Sequence, residues 1–184
     1  MRNQRVRLVA VIGLLIAVAG GSAAQASGDS DGSGEGSEST LQVRLSGFEE
    51  NPLALSTTGN GEFRLRIDEA AQEISYQLRY DGLEAPITQA HIHLGLPSQV
   101  GGISVFLCSN LGNGPVGTQL CPAAPATVTG VIRPTDVIGP TGQGVSAGEF
   151  GELIAAFRAG VTYVNVHSTK YPVGEIRAQL VHQH

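Results

Sequence analysis

From Leu41 onward, apolar and polar residues alternate in short runs interrupted by Gly, Pro, Asn and Asp. This is the pattern of strands that turn one face to a core and the other outward. It predicts strands near 41–47, 60–68, 73–82, 87–95, 102–108, 126–132, 161–168 and 173–182. One segment breaks the period. In "SAGEFGELIAAFRAG", residues 146–160, Phe150, Leu153, Ile154 and Phe157 recur at helical spacing between a serine and a glycine. A short helix near 147–159 is expected there, capped by the serine. Eight strands and one late helix imply an all-β fold, an antiparallel eight-stranded β-sandwich or flattened barrel.

Period two assigns faces. On the 87–95 strand Ala90, Ile92 and Leu94 point one way, and Gln89, His91 and His93 the other. In "VTYVNVHST" Val164 and Val166 take the apolar face, with Tyr163, Asn165 and His167 opposite. The last strand repeats the arrangement: Ile176, Ala178 and Leu180 inward, Glu175, Arg177 and Gln179 away. If these strands are neighbours, three histidines share one polar face.

The N-terminal residues follow a different logic. Arg2, Arg5 and Arg7 precede an apolar run from Leu8 to Ala19 and then Ala24-Gln25-Ala26, the three parts of a secretory signal peptide over residues 1–26. The run is short for a membrane span, and no span is expected once the signal is removed. Residues 27–40, "SGDSDGSGEGSEST", contain only small, polar and acidic side chains and read as a flexible tether. The remainder, 41–184, has the length of one domain.

Charge narrows the partners. The chain carries 11 basic and 16 acidic residues, a formal charge of −5. Losing the three leader arginines takes this to −8, an acidic balance that argues against nucleic acid. Cys108 and Cys121 are the two cysteines. In an oxidising compartment, closing a short Gly/Pro-rich loop, they are expected to form a disulfide.

Two roles are open to His91, His93 and His167. As ligands, three imidazoles on one sheet face suit copper or zinc, with Asn165, Glu175 or Tyr163 orienting the rings. As structural groups, they would bond to backbone and to those same neighbours beneath the long 108–160 excursion. His182 and His184 belong to the chain end. No nucleophile motif, P-loop or dinucleotide fingerprint is present, and Glu49 and Glu50 sit in what reads as a solvated turn before Asn51-Pro52.

The pieces "LSGFEENP", "TTGNGEFRL", "ISYQLRYDGL", "TQAHIHLG", "GGISVFLC", "GVIRPTDVIGP", "GEFGELIAAFRAGVTYVNVHS" and "YPVGEIRAQL" occur in that order, and together they resemble the chordin-type (CHRD) domain. The resemblance implies an immunoglobulin-like β domain in an exported protein, without a defined activity. A weaker pattern likeness to copper/zinc superoxide dismutase rests on His91-Ile92-His93 and Val166-His167. No histidine lies between His93 and His167, so the bridging imidazole of that family has no counterpart, which argues against dismutase activity. The expected function is a secreted, non-catalytic binding or cell-surface module for a protein or surface ligand; the alternative is a copper- or zinc-binding protein built on the three histidines.

Overall fold

A computed structural model of the protein describes residues 39–181. The expected export signal over residues 1–26, residues 27–38 of the expected tether, and His182 and His184 lie outside the described residues. The strands are β1 (Ser39–Ser46), β2 (Asn60–Asp68), β3 (Glu73–Asp81), β4 (Ile87–Leu94), β5 (Gly102–Ser109), β6 (Ala126–Ile132), β7 (Thr162–Ser168) and β8 (Ile176–Gln179), and the helix α1 (Phe150–Arg158) joins β6 to β7. All eight strands pair antiparallel in one sheet, in the order β5-β4-β7-β8-β1-β2-β3-β6.

The sheet curls into a nearly closed barrel, and side chains bridge its seam between β5 and β6. Gln119 Nε2 lies 3.1 Å from both Leu107 O on β5 and Thr129 O on β6. Tyr76 Oη donates to Leu107 O at 3.1 Å. The alternation read from the sequence fills the interior: Phe63, Leu78, Ile92, Val164 and Ile176 are buried in one core. The helix adds Phe150, Leu153, Ile154 and Phe157, the four positions that recur at helical spacing.

Several boundaries differ from the sequence pattern: β1 begins at Ser39, so Ser39 and Thr40, expected in the tether, pair with Ile67 and Arg66, and glycine accounts for two others. The helix starts at Phe150, and Glu149 rather than a serine is its N-cap, without a side-chain cap bond. Gly148 holds a φ of 85° there, which keeps the helix from extending back to Ser146. Strand β8 begins at Ile176 instead of 173, because Gly174 adopts a φ of 141° in a turn closed by its own N–H to Tyr171 O.

Cys108 and Cys121 form the expected disulfide. Asn110 ties the enclosed loop further: its amide donates to Ile87 O and Cys121 O and accepts from Cys121 N. With the cysteines 13 positions apart in sequence, the chain-entropy argument assigns the crosslink about 3 kcal/mol. Replacing both cysteines by serine is expected to lower the unfolding free energy by about that amount in a denaturant titration; an unchanged midpoint would contradict it.

Candidate metal centre

The histidines meet because β4 and β7 are neighbours with a fixed register. His93 stands opposite Tyr163 and His91 opposite Asn165, while Gln89 stands opposite His167. His91 and His167 are therefore diagonal partners on one face, within side-chain reach. Ala90, Ile92, Val164 and Val166 occupy the core face, as parity requires. The three rings converge: one nitrogen from each of His91, His93 and His167 lies within 4.8 Å of the others. His91 Nδ1 and His167 Nε2 are 3.2 Å apart, within hydrogen-bond distance.

Backbone carbonyls fix two of the tautomers. His93 Nδ1 lies 3.0 Å from Gly101 O and His167 Nδ1 lies 3.1 Å from Pro172 O. A carbonyl only accepts, so each Nδ1 carries the proton and each Nε2 keeps its lone pair. His167 Nε2 then accepts from His91 Nδ1. His91 Nε2 and His93 Nε2 are buried with no hydrogen-bond partner, a lone-pair arrangement that a cation satisfies and a dry pocket does not.

Burial also holds the rings neutral. It is the main cause lowering His91 to about 2, with the charges of His167 and His93 adding to it. It likewise lowers His93 and His167 to about 4 each, against opposing carbonyl bonds from Gly101 and Pro172. One face of His93 stacks on Tyr163, ring centres 4.7 Å apart and planes 2° from parallel. Arg177 covers the far face of that phenol, its guanidinium 3.4 Å from the ring centre. Phe106 of β5 meets His91 edge-on at 4.4 Å.

The cover over this polar face is not the 108–160 excursion. Three shorter loops form it. The β4–β5 loop supplies Gly101 O to His93, and Leu96 O and Gln99 O to the Arg177 guanidinium. The β7–β8 loop supplies Pro172 O to His167. The β1–β2 loop supplies Glu50, whose two carboxylate oxygens each lie 3.0 Å from Asn165 Nδ2.

Of the three neighbours expected to orient the rings, Tyr163 alone stacks on one. Asn165 gives its amide to Glu50, and Glu175 Oε1 accepts from Thr57 Oγ1 at 2.8 Å and Glu84 N at 2.7 Å. Glu50 itself departs from the solvated turn expected of it: it is 5% exposed. Burial raises its carboxyl to about 7, against the Asn165 bond and the Arg177 charge, which lower it. Gly174 makes room for the pair, since a Cβ there would stand 2.5 Å from Glu50 Oε2 and 2.6 Å from Asn165 Nδ2. The sequence carried no local signal for Glu50, because its partner lies 115 residues away.

Fold and site together define an antiparallel β-barrel domain with a roofed tri-histidine cluster on the outer face of its sheet. The family model of the CHRD domain matches residues 41–180, and the chain belongs to that family. No curated protein and no solved structure matches it.

The buried groups make stability depend on pH in a defined sense. Each histidine is neutral when folded and protonates below about 6.5 once unfolded, so the unfolded chain binds more protons and stability falls as pH drops. Glu50 opposes this. Protonated in the fold to about 7 but ionised above 4.5 when exposed, it withdraws stability as pH rises between those values. Three histidines outweigh one carboxyl, so thermal melts are expected to show stability rising from pH 4 to 6.5 and levelling above, with a limiting slope of about 1.4 kcal/mol per pH unit per net proton. Glu50→Gln is expected to steepen the rise between 4.5 and 6.5. A flat profile, or one unchanged in the variant, would contradict the assignment.

Proposed function

We propose that this chain is an exported, non-catalytic CHRD-domain module that holds one copper or zinc ion through His91, His93 and His167. One observation carries the reading: two rings have their outer nitrogens tied to backbone carbonyls, which leaves Nε2 as the lone-pair nitrogen of each, and one nitrogen from each of the three buried rings lies within 4.8 Å of the others. A tautomer fixed from outside is what metal-ligating histidines require. The donors are all imidazoles, a set that favours copper and zinc over calcium or magnesium. Export is supported by the leader pattern and is compatible with the disulfide.

Because the rings are already neutral near pH 5.5, binding an ion releases few protons. Affinity should accordingly vary little between pH 5.5 and 7.5, unlike that of an exposed histidine cluster, where protons compete below about 6.5.

The test uses the chain with His182 and His184 replaced by glutamine, so that the terminus cannot scavenge metal. Such a protein is expected to take up about one equivalent of Cu(II) or Zn(II) in elemental analysis. His93→Ala should weaken binding by more than the roughly 10–100-fold that losing an outer partner costs, with far-UV circular dichroism unchanged. If the intact cluster takes up neither metal, the histidines are structural and the reading fails.

A further inference from the structure

The charge of the preferred ion follows from what surrounds the rings, given the tri-histidine site proposed for this chain, on which this inference rests. Among the described residues the donor group is His91, His93 and His167, and no carboxylate or thiolate joins it. Both cysteines are in the disulfide. Three neutral imidazoles hold an ion without cancelling any of its charge.

The other groups on this face do not supply the missing negative charge. Glu50 is turned to Asn165, with both carboxylate oxygens 3.0 Å from the amide nitrogen. Glu175 Oε1 accepts from Thr57 Oγ1 and from Glu84 N; its Oε2 has no partner, and neither oxygen belongs to the donor group. Asn165 stands opposite His91 with an unpartnered Oδ1, a neutral oxygen that adds no charge. A cation, by contrast, is fixed beside the site. Arg177 lies 3.4 Å over the centre of the Tyr163 ring, and His93 stacks on that same ring. The imidazoles are also shut from water, with His91 1%, His93 7% and His167 6% exposed, and Phe106 walls His91 edge-on.

We propose that the tri-histidine site is selective for monovalent copper, Cu(I), over Cu(II) and Zn(II). A dication held by neutral donors keeps its whole double charge in a site closed to solvent. The self-energy of a buried charge grows as its square, so a dication costs roughly four times what a monocation does. Repulsion from Arg177 doubles as well. Coordination points the same way: zinc is almost always four-coordinate and Cu(II) prefers a tetragonal set, whereas Cu(I), with a filled d shell, is satisfied by three imidazoles. In an open nitrogen site Cu(II) heads the affinity order of divalent ions; burial and neutral donors remove that advantage here.

The test uses the full chain with His182 and His184 replaced by glutamine, without oxygen and near neutral pH. Three probes are titrated separately: Cu(I) kept reduced by ascorbate and competed with bicinchoninate, Cu(II) competed with nitrilotriacetate, and Zn(II) competed with a chromophoric chelator. Cu(I) is expected to bind at least about 100-fold more tightly than Cu(II), which at about 59 mV per tenfold raises the potential of the bound copper couple by about 120 mV over that of aqueous copper. Zn(II) is expected to bind more weakly than Cu(I) by a similar factor. His93→Ala should lower the Cu(I) affinity by more than about tenfold, which places the ion at the cluster. Cu(II) or Zn(II) binding as tightly as Cu(I), or a copper potential no higher than the aqueous one, overturns this inference and leaves the metal centre standing. Binding of none of the three ions, or Cu(I) held at full strength by His93→Ala, overturns the metal centre and this inference together.

Discussion

Strand β7 is buried at every position from Thr162 to Ser168. A strand in mid-sheet has two faces, and here neither meets water. The inner face is apolar, with Val164 and Val166 in the core, and the outer face carries Tyr163, Asn165 and His167 under a roof of loops. Polar groups removed from water must find partners or cost roughly 1–3 kcal/mol each. Much of the rest of this half of the molecule follows from meeting that requirement.

The roof meets it with backbone and with one long cation. Gly101 O and Pro172 O hold the outer nitrogens of two imidazoles; Leu96 O and Gln99 O hold Arg177, which in turn lies over Tyr163 and so braces the His93 stack. What remains is uneven. The guanidinium and the carbonyls that hold it are paired, while His91 Nε2 and His93 Nε2, together with Thr162 Oγ1, Asn165 Oδ1, Glu175 Oε2 and Gln179 Oε1, have no hydrogen-bond partner. Carbonyls hold the Nδ1 side of His93 and His167, and the proposed ion would engage imidazole lone pairs on the other side.

Parity was the part of this that could be read from the chain. Ile92 and Val166 had to take the core, so His91, His93 and His167 had to share the other side, and the disulfide was expected from two cysteines flanking one short Gly/Pro-rich loop. The roof could not be read. "GFEENP" looks like a solvated turn by composition, and only its placement against Asn165 buries Glu50. Local pattern determines which way a side chain points. Which segments lie over it is a property of the assembled barrel.

The central claim is that the fold presents neutral imidazoles with their Nε2 lone pairs turned inward, and nitrogen-15 NMR of the histidine side chains in metal-free protein reads that state directly. At pH 5.5, His93 and His167 are expected to show protonated Nδ1 and unprotonated Nε2, with no imidazolium signal from either. Imidazolium at that pH, or protons on the Nε2 atoms, would contradict the account.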